Sequence, residues 1–400
     1  MTDVFYLQKM PGSSSASKRS MRTANKSNSD GAINGKMSKS DNDARVTTKL
    51  TKAKVKKIKP LKDITNDTKN MKKANDKESK DNSIQSSNEM SSNGTQNEAV
   101  INGSLVSPRT GQIFVGFHAS SAGGVHNAIL HTAEVGAESL ALFLRPQRTW
   151  SAPPLKPEVA AQFRELRSRH ALSPHLILPH GSYLLNLGSP DQDQRERSVA
   201  VLVEELQRCE ELGLQLYNIH PGSSCGKISR QQCVANIAAG INTAHGRTPG
   251  SRVKVVLENM SCQGHTLGGD LRELRQIIDL VEDRGRVGVC LDTCHAMAAG
   301  YDLSTEAGFQ RLLAEFEAGV GWEWLVGCHL NDSKGPAGCH RDRHENIGRG
   351  TIGLEGFRRI VNCPHFTDIP LILETPLDDK LGIKGYQKEI ELLQSLVSKM

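Results

Sequence analysis

The first 200 residues of this 400-residue chain contain no cysteine, and the nine that follow include no C-x-x-C pair. An odd number of scattered thiols argues against a disulfide framework and fits a soluble intracellular protein with reduced cysteines. No apolar signal segment opens the sequence and no run of about 18 apolar residues occurs, so neither secretion nor a membrane span is expected. Aromatic residues make up only 4% of the chain. They are scarcest before residue 110, where Ser, Asn, Lys, Thr and Asp dominate, as in SASKRSMRTANKSNSD. Such a segment has too little apolar surface to offset its ordering entropy, so residues 1–110 are expected to be a disordered tail.

Charge divides the chain at the same place. Residues 1–110 hold 21 Lys and Arg against 11 Asp and Glu, a balance of +10, whereas the whole chain stands at +6. The other 290 residues therefore sum to −4, and a basic tail is set against a nearly neutral globular body, residues 111–400. The densest basic cluster is KLTKAKVKKIKPLK, Lys49 to Lys62. It reads either as a nuclear import signal with loose nucleic-acid affinity or as a solvated, solubilising stretch. Nuclear localisation is expected, with the mitochondrion as the alternative; Asp3 and the scattered acids argue against a mitochondrial leader.

Eight short apolar runs follow Pro108: QIFVGFHA (112–119), SLALFLR (139–145), HLILPHGS (175–182), LYNIHPG (216–222), VKVVLEN (253–259), VGVCLDT (287–293), LVGCHLND (325–332) and IPLILET (369–375). Segments of helical period lie between them, including PEVAAQFRELRSRH, ERSVAVLVEELQRCEELG and LRELRQIIDLVED. Eight strands alternating with helices over about 290 residues predict a (β/α)8 TIM barrel. An open doubly wound sheet is the competing architecture.

The stretch VGVCLDTCHAMAAGYDL, Val287 to Leu303, shows what such a barrel would carry. A buried strand ends in Asp292, and His295 follows in the turn towards a helix. Alone, Asp292 reads more often as a helix cap than as a ligand, and His295 as a polar loop residue. Repetition changes the weighing, because nearly every run ends in a ligand-type side chain: His118, His180, His220, Glu258, Asp292, His329 and Glu374. Parallel barrel strands would bring all seven to one rim, where His, Asp and Glu serve as metal ligands. The loop HLNDSKGPAGCHRDRHENIGRG adds Asp342 and His344, two apart and able to face one ion from an extended segment. Cys290 and Cys294 read as small core or loop residues rather than ligands.

With LPHGSYLLNLG, NIHPGS, LENM, CLDTCHAMAAGYD, HLNDSK, DRHENIG and LILET in this order, the chain resembles the endonuclease IV family of apurinic/apyrimidinic (AP) endonucleases from about Ile113 to Leu396. The resemblance implies three Zn2+ ions per chain: His180, His220 and a bridging Glu258 at one, Glu258, Asp292, His329 and Glu374 at the second, and His295, Asp342 and His344 at the third. Histidine nitrogens and carboxylate oxygens would suit zinc or manganese, and the choice of zinc comes from the family. Glu258 is the candidate catalytic residue. By the same resemblance Arg148 enters the duplex and Tyr183 and Leu184 fill the gap left by an extruded abasic site, while His118 is a further active-site imidazole. Pro146 departs from the pattern, since many relatives carry Asn there; a proline removes a backbone donor and stiffens the loop.

The implied activity is hydrolysis of the phosphodiester 5′ to an abasic site in duplex DNA during base excision repair. It leaves a 3′-hydroxyl, and removal of blocked 3′ ends is a second activity. Divalent ions roughly 3.5–4 Å apart suit such an in-line displacement. Three of them would set +6 against the −4 of Glu258, Asp292, Asp342 and Glu374, which places attraction for phosphate at the site itself. The enzyme is expected to work as a monomer, away from membranes. Two rivals remain: a metal-dependent sugar isomerase or epimerase, for which the His295, Asp342, His344 group has no clear task, and a non-enzymatic lesion-binding protein on a retired barrel.

Overall fold

The computed structural model describes residues 111–398. The expected disordered tail and its basic cluster lie outside the described residues. Seven strands form one parallel sheet: β1 (Phe114–His118), β2 (Ser139–Ala141), β3 (Leu216–Ile219), β4 (Lys254–Glu258), β5 (Val287–Asp292), β6 (Leu325–His329) and β9 (Pro370–Leu373), in the order β2-β1-β9-β6-β5-β4-β3. A short antiparallel ribbon, β7 (Asp332–Ser333) with β8 (His344–Glu345), stands apart from it.

The third run, HLILPHGS, closes the barrel without becoming a regular strand. Leu178 N–H bonds to Leu140 O at 2.8 Å and His180 N–H to Leu142 O at 3.0 Å, on the β2 side. On the β3 side, Pro179 O accepts from Asn218 N–H and Asn218 O from Gly181 N–H, both at 2.8 Å. Pro179 faces β3 with no N–H to give, so a ladder bond is missing where the sequence predicts a full strand. The ring is nonetheless complete, and the eight runs follow one another around it in chain order. The TIM barrel is therefore the architecture, and the open sheet is excluded.

Helices cover the outside: α1 (His126–Glu134), α2 (Pro157–Arg169), α3 (Gln192–Leu212), α4 (Arg230–Arg247), α5 (Leu271–Leu280), α6 (Thr293–Ala299), α7 (Glu306–Gly319), α8 (Gly353–Val361) and α9 (Lys384–Ser395). Local chemistry sets their ends. The Asp191 side chain caps α3 by accepting from Gln194 N–H, and Gly213 closes it in a left-handed conformation at φ 68°. Ser229, Asp270 and Thr305 cap α4, α5 and α7 likewise.

Two hydrophobic layers result. A large cluster fills the space between helices and strands, including Phe163, Ile237, Leu274, Phe316 and Phe357. Inside the barrel, Ala141, Leu178, Leu216, Val256, Cys290 and Ile372 pack together, one from each of six barrel segments. This inner plug is a packed core and not a channel, so a ligand has access to the barrel only at its ends. Cys290 is a core residue, as its sequence suggests.

Candidate metal centre

All nine residues expected from the sequence meet at the carboxyl-terminal mouth of the barrel. Glu258 is at their centre, fully buried at the end of β4. Its Oε2 lies 3.4 Å from His180 Nε2 and 3.6 Å from His220 Nε2, while its Oε1 lies 3.2 Å from both His295 Nδ1 and His329 Nδ1. One carboxylate thus faces two sets of imidazoles with different oxygens. His329 Nδ1 is also 3.4 Å from Glu374 Oε2 and 3.8 Å from Asp292 Oδ2. The Asp342 carboxylate reaches His295 Nε2 at 3.2 Å and His344 Nε2 at 3.1 Å.

Ligand atoms within 4.8 Å of one another fall into the groups His180, His220, Glu258; Glu258, Asp292, His329, Glu374; and His295, Asp342, His344. These are the three groupings expected from the sequence. A fourth, Asp292, Cys294, His344, brings in a thiol the sequence reading had set aside. Cys294 is buried in α6, and burial pushes its thiol up to about 12, which keeps it protonated.

Second contacts orient the imidazoles. Nδ1 of His180 faces Gly181 O at 2.8 Å, Nδ1 of His295 faces Asn259 O at 2.9 Å, and Nδ1 of His344 faces Glu374 O at 3.0 Å. A carbonyl only accepts, so each Nδ1 carries the proton and each Nε2 points its lone pair into the site, as in metal-ligating histidines. Glu258 Oε1 and His329 Nδ1 are buried and 3.2 Å apart, yet neither forms a hydrogen bond of sound geometry. Lone pairs that converge without bonding one another suit a cation between them. The donor set therefore fits divalent ions bound through nitrogen and oxygen.

Asp292 fills both roles that the sequence leaves open. Its Oδ1 accepts the His295 N–H at 2.7 Å, which caps α6 and starts a helix directly at the strand end. His295 consequently sits in the first turn of that helix rather than in a loop. The opposite oxygen, Oδ2, faces His329 and His344.

The charges are balanced within the cluster. Burial would raise Glu258, but His329 and His220 outweigh it and hold the carboxyl well below its ordinary range. Burial likewise opposes the Asp342 charge, and His295 and His344 override it. His220 is driven down to about 4 by burial, so it is neutral near pH 7. For His344 burial acts downward, yet the adjacent Asp342 lifts it to about 9. Protons and cations therefore compete for the same lone pairs.

His118 packs against this cluster without joining the nine. Its Nδ1 is 2.9 Å from Glu374 Oε1 and its ring lies 4.4 Å from that of Phe143. Tyr183 is 37% exposed, with its ring 5.5 Å from Phe143, 5.4 Å from His180 and 5.8 Å from His220. It lines the open rim and is not core packing. Leu184 is half-buried beside it and Arg148 is exposed.

Three asparagines escaped the sequence reading. Asn218 Nδ2 donates to Glu258 Oε2 at 2.6 Å, and Asn331 Nδ2 to Asp292 Oδ2 at 2.6 Å. Asn331 Oδ1 also accepts Glu374 N–H, while Asn259 Oδ1 accepts Asp292 N–H. The signal was present: each is a polar residue in an otherwise apolar run, one or two positions from a ligand.

A TIM barrel carrying such a donor set at its carboxyl-terminal mouth belongs to the class of metal-dependent TIM-barrel enzymes. A family model described as "Xylose isomerase-like TIM barrel" matches residues 129–396. A probable endonuclease 4 of Chlorobium phaeovibrioides is 49% identical over 282 residues, 70% of this chain and 99% of that protein. An apurinic-apyrimidinic endonuclease 1 of Plasmodium berghei is 43% identical over 287 residues, 72% of this chain and 56% of that protein. Endonuclease IV from Thermus thermophilus superposes with a TM-score of 0.62 at 32% identity, over 71% of this chain and 98% of the other. The chain belongs to the endonuclease IV family and is an AP endonuclease of the deoxyribonuclease IV type, a phosphoric diester hydrolase.

Proposed function

We propose that this enzyme hydrolyses the phosphodiester on the 5′ side of an abasic site in double-stranded DNA, leaving a 3′-hydroxyl, and also clears blocked 3′ ends. The observation that carries this is the convergence of nitrogen and oxygen donors from nine residues, Glu258 among them, at one mouth of the barrel. In this reading the nine residues hold three zinc ions, with manganese an alternative occupant. Such ions lower the pKa of an attacking water and neutralise charge on the phosphate. Glu258 serves as the catalytic bridge, since its two oxygens already face separate imidazole sets. Asn218 and Asn331 fix the carboxylates of Glu258 and Asp292, so the donors need not reorganise when substrate arrives.

Recognition of a missing base cannot rest on base edges, so the protein must fill the vacated stack. Tyr183 and Leu184 stand beside the cluster, and Arg148 is exposed on the neighbouring loop. We assign the three to DNA contact. The enzyme is proposed to act as a monomer. Residues 111–400 would carry the whole activity, because 282 aligned residues span 99% of the Chlorobium relative. The basic tail would then serve import into the nucleus, with the mitochondrion as a second destination.

The sugar isomerase reading shares the fold but leaves His295, Asp342 and His344 without a task. The test is a duplex with one tetrahydrofuran abasic analogue, with the products mapped at each end. Incision 5′ to the analogue with a 3′-hydroxyl product is expected. A fully metallated wild type that leaves the duplex intact would sink the reading and promote the isomerase.

A further inference from the structure

Two loops carry the proposed DNA contacts, and a partly buried polar lattice on α3 lies under both. Arg145 is 4% exposed and donates Nη1 to Glu204 Oε2 at 2.6 Å and Nη2 to Thr149 O at 3.2 Å. Arg208, one turn along the helix from Glu204, donates Nη2 to Glu204 Oε1 at 2.7 Å and reaches Leu144 O and Pro153 O. The loop from 144 to 153, which presents Arg148, is thus hung on α3 near both its ends. The next helix residue, Glu205, accepts from the Tyr217 hydroxyl. That hydroxyl sits directly under Gly181, where a Cβ would come within 2.9 Å of it.

Ser182 joins the two loops. Its side chain is buried, and its Oγ–H donates to Gln147 O at 2.8 Å, the residue before Arg148. The same Oγ accepts Leu184 N–H at 3.3 Å. One hydroxyl therefore touches the backbone of the Arg148 loop and that of the Tyr183–Leu184 loop. The rings of Phe143 and Tyr183 meet edge-on across the same junction, 5.5 Å apart.

Each of these tethers on the Arg148 loop ends on a carbonyl: Leu144 O, Gln147 O, Thr149 O and Pro153 O. Pro146 removes an N–H, and none of these bonds uses it. The departure from the family pattern thus stiffens the loop without breaking its support.

We propose that Ser182 is a positioning residue that registers Arg148 against Tyr183 and Leu184, so that the abasic gap is filled by one preassembled unit. It rests on the assignment of these three residues to DNA contact. Loops ordered before binding pay less entropy on binding, so the contribution appears in affinity and not in the chemical step.

The test uses the full chain, metal-loaded, with Ser182→Ala, Ser182→Thr and Arg148→Ala, alone and combined. Affinity is read by fluorescence anisotropy on a duplex with an abasic analogue flanked by a non-cleavable phosphorothioate, beside KM, kcat and metal content. Ser182→Ala should weaken binding and raise KM about five-fold, the ratio for one neutral hydrogen bond. Its kcat and metal content should stay at wild-type values, and Ser182→Thr should restore affinity. Arg148→Ala should cost less in the Ser182→Ala background than in the wild type. Wild-type affinity in Ser182→Ala, or losses that simply multiply in the double variant, would overturn the proposal alone. A wild type that binds abasic and intact duplex equally would overturn the DNA-contact reading and this proposal with it.

Discussion

At the amino-terminal ends of β4 and β5 the barrel buries Arg286, which donates to Val253 O at 3.2 Å, Thr248 O at 3.2 Å, His245 O at 3.4 Å and Thr248 Oγ1 at 3.0 Å. At the carboxyl-terminal ends of the same strands it buries Glu258 and Asp292 among imidazoles, with Glu258 Oε1 3.2 Å from His329 Nδ1. Both ends hold charge away from water, but Arg286 is taken up by carbonyls and a hydroxyl, whereas Glu258 faces side chains alone. A charge saturated by carbonyls is finished, and its work is to hold the loop between α4 and β4. Lone pairs left converging wait for something else. Void volume would mislead here: a cavity of about 360 Å³, lined in part by Asn242, His245 and Asp283, lies at the amino-terminal end. The chemistry is at the other.

The largest expected effect falls on the unsaturated end. Removing one partner from a buried charge cluster costs about 3–5 kcal/mol. Glu258→Gln should accordingly lower incision of abasic duplex by roughly 10²–10³-fold in a gel assay. Next comes the support beneath it. Asn331→Ala frees the Asp292 and Glu374 contacts and should weaken metal affinity about 10–100-fold, read by competition with a chelator. Native affinity in that variant would mean that the carboxylates orient themselves.

The saturated end should respond in stability alone. Arg286→Met removes one donor from three carbonyls, of which His245 O and Thr248 O keep a backbone N–H, and should cost about 1–3 kcal/mol in chemical denaturation, with kcat within two-fold of wild type. A loss of activity matching the loss at Glu258 would erase the distinction between the two ends.

Glu205 sharpens the comparison, because it is buried on α3 beneath the carboxyl-terminal loops yet outside the donor cluster. Burial, only partly offset by Arg145, pushes its carboxyl from 4.5 up to about 8. The unfolded chain releases this proton near pH 4.5 and the folded chain near pH 8. Between those values the folded state holds one more proton, so stability falls as pH rises through that window. Glu205→Gln should remove this slope, gaining on the wild type from pH 5 to pH 8 in denaturation midpoints. Parallel curves would show that the side chain ionises normally.

Much of this was legible in the residues. Strands such as VGVCLD and IPLILE carry dense apolar runs with a terminal carboxylate, so position and chemistry are written together. D-x-H at Asp342 and His344 announced a shared target; β8 presents His344, and Asp342 sits in the segment just before it. Less visible was the irregularity at 177–181, because the lost ladder bond depends on which neighbour Pro179 faces, and this only the closed ring decides. Asn218, Asn259 and Asn331 were overlooked for a related reason. An amide beside a ligand marks itself in the sequence, but its partner, forty residues away in the case of Asn218 and Glu258, is named only by the fold. Ser182 is similar, since its task exists only between two loops.

The most direct test of the central claim is the metal content of the purified wild type, taken by elemental analysis after exhaustive dialysis and followed by incision of abasic duplex. More than one divalent ion per chain is expected, three at full occupancy, with fewer in Glu258→Gln and incision abolished once a chelator has stripped them. A wild type that holds no metal and still incises would contradict that claim.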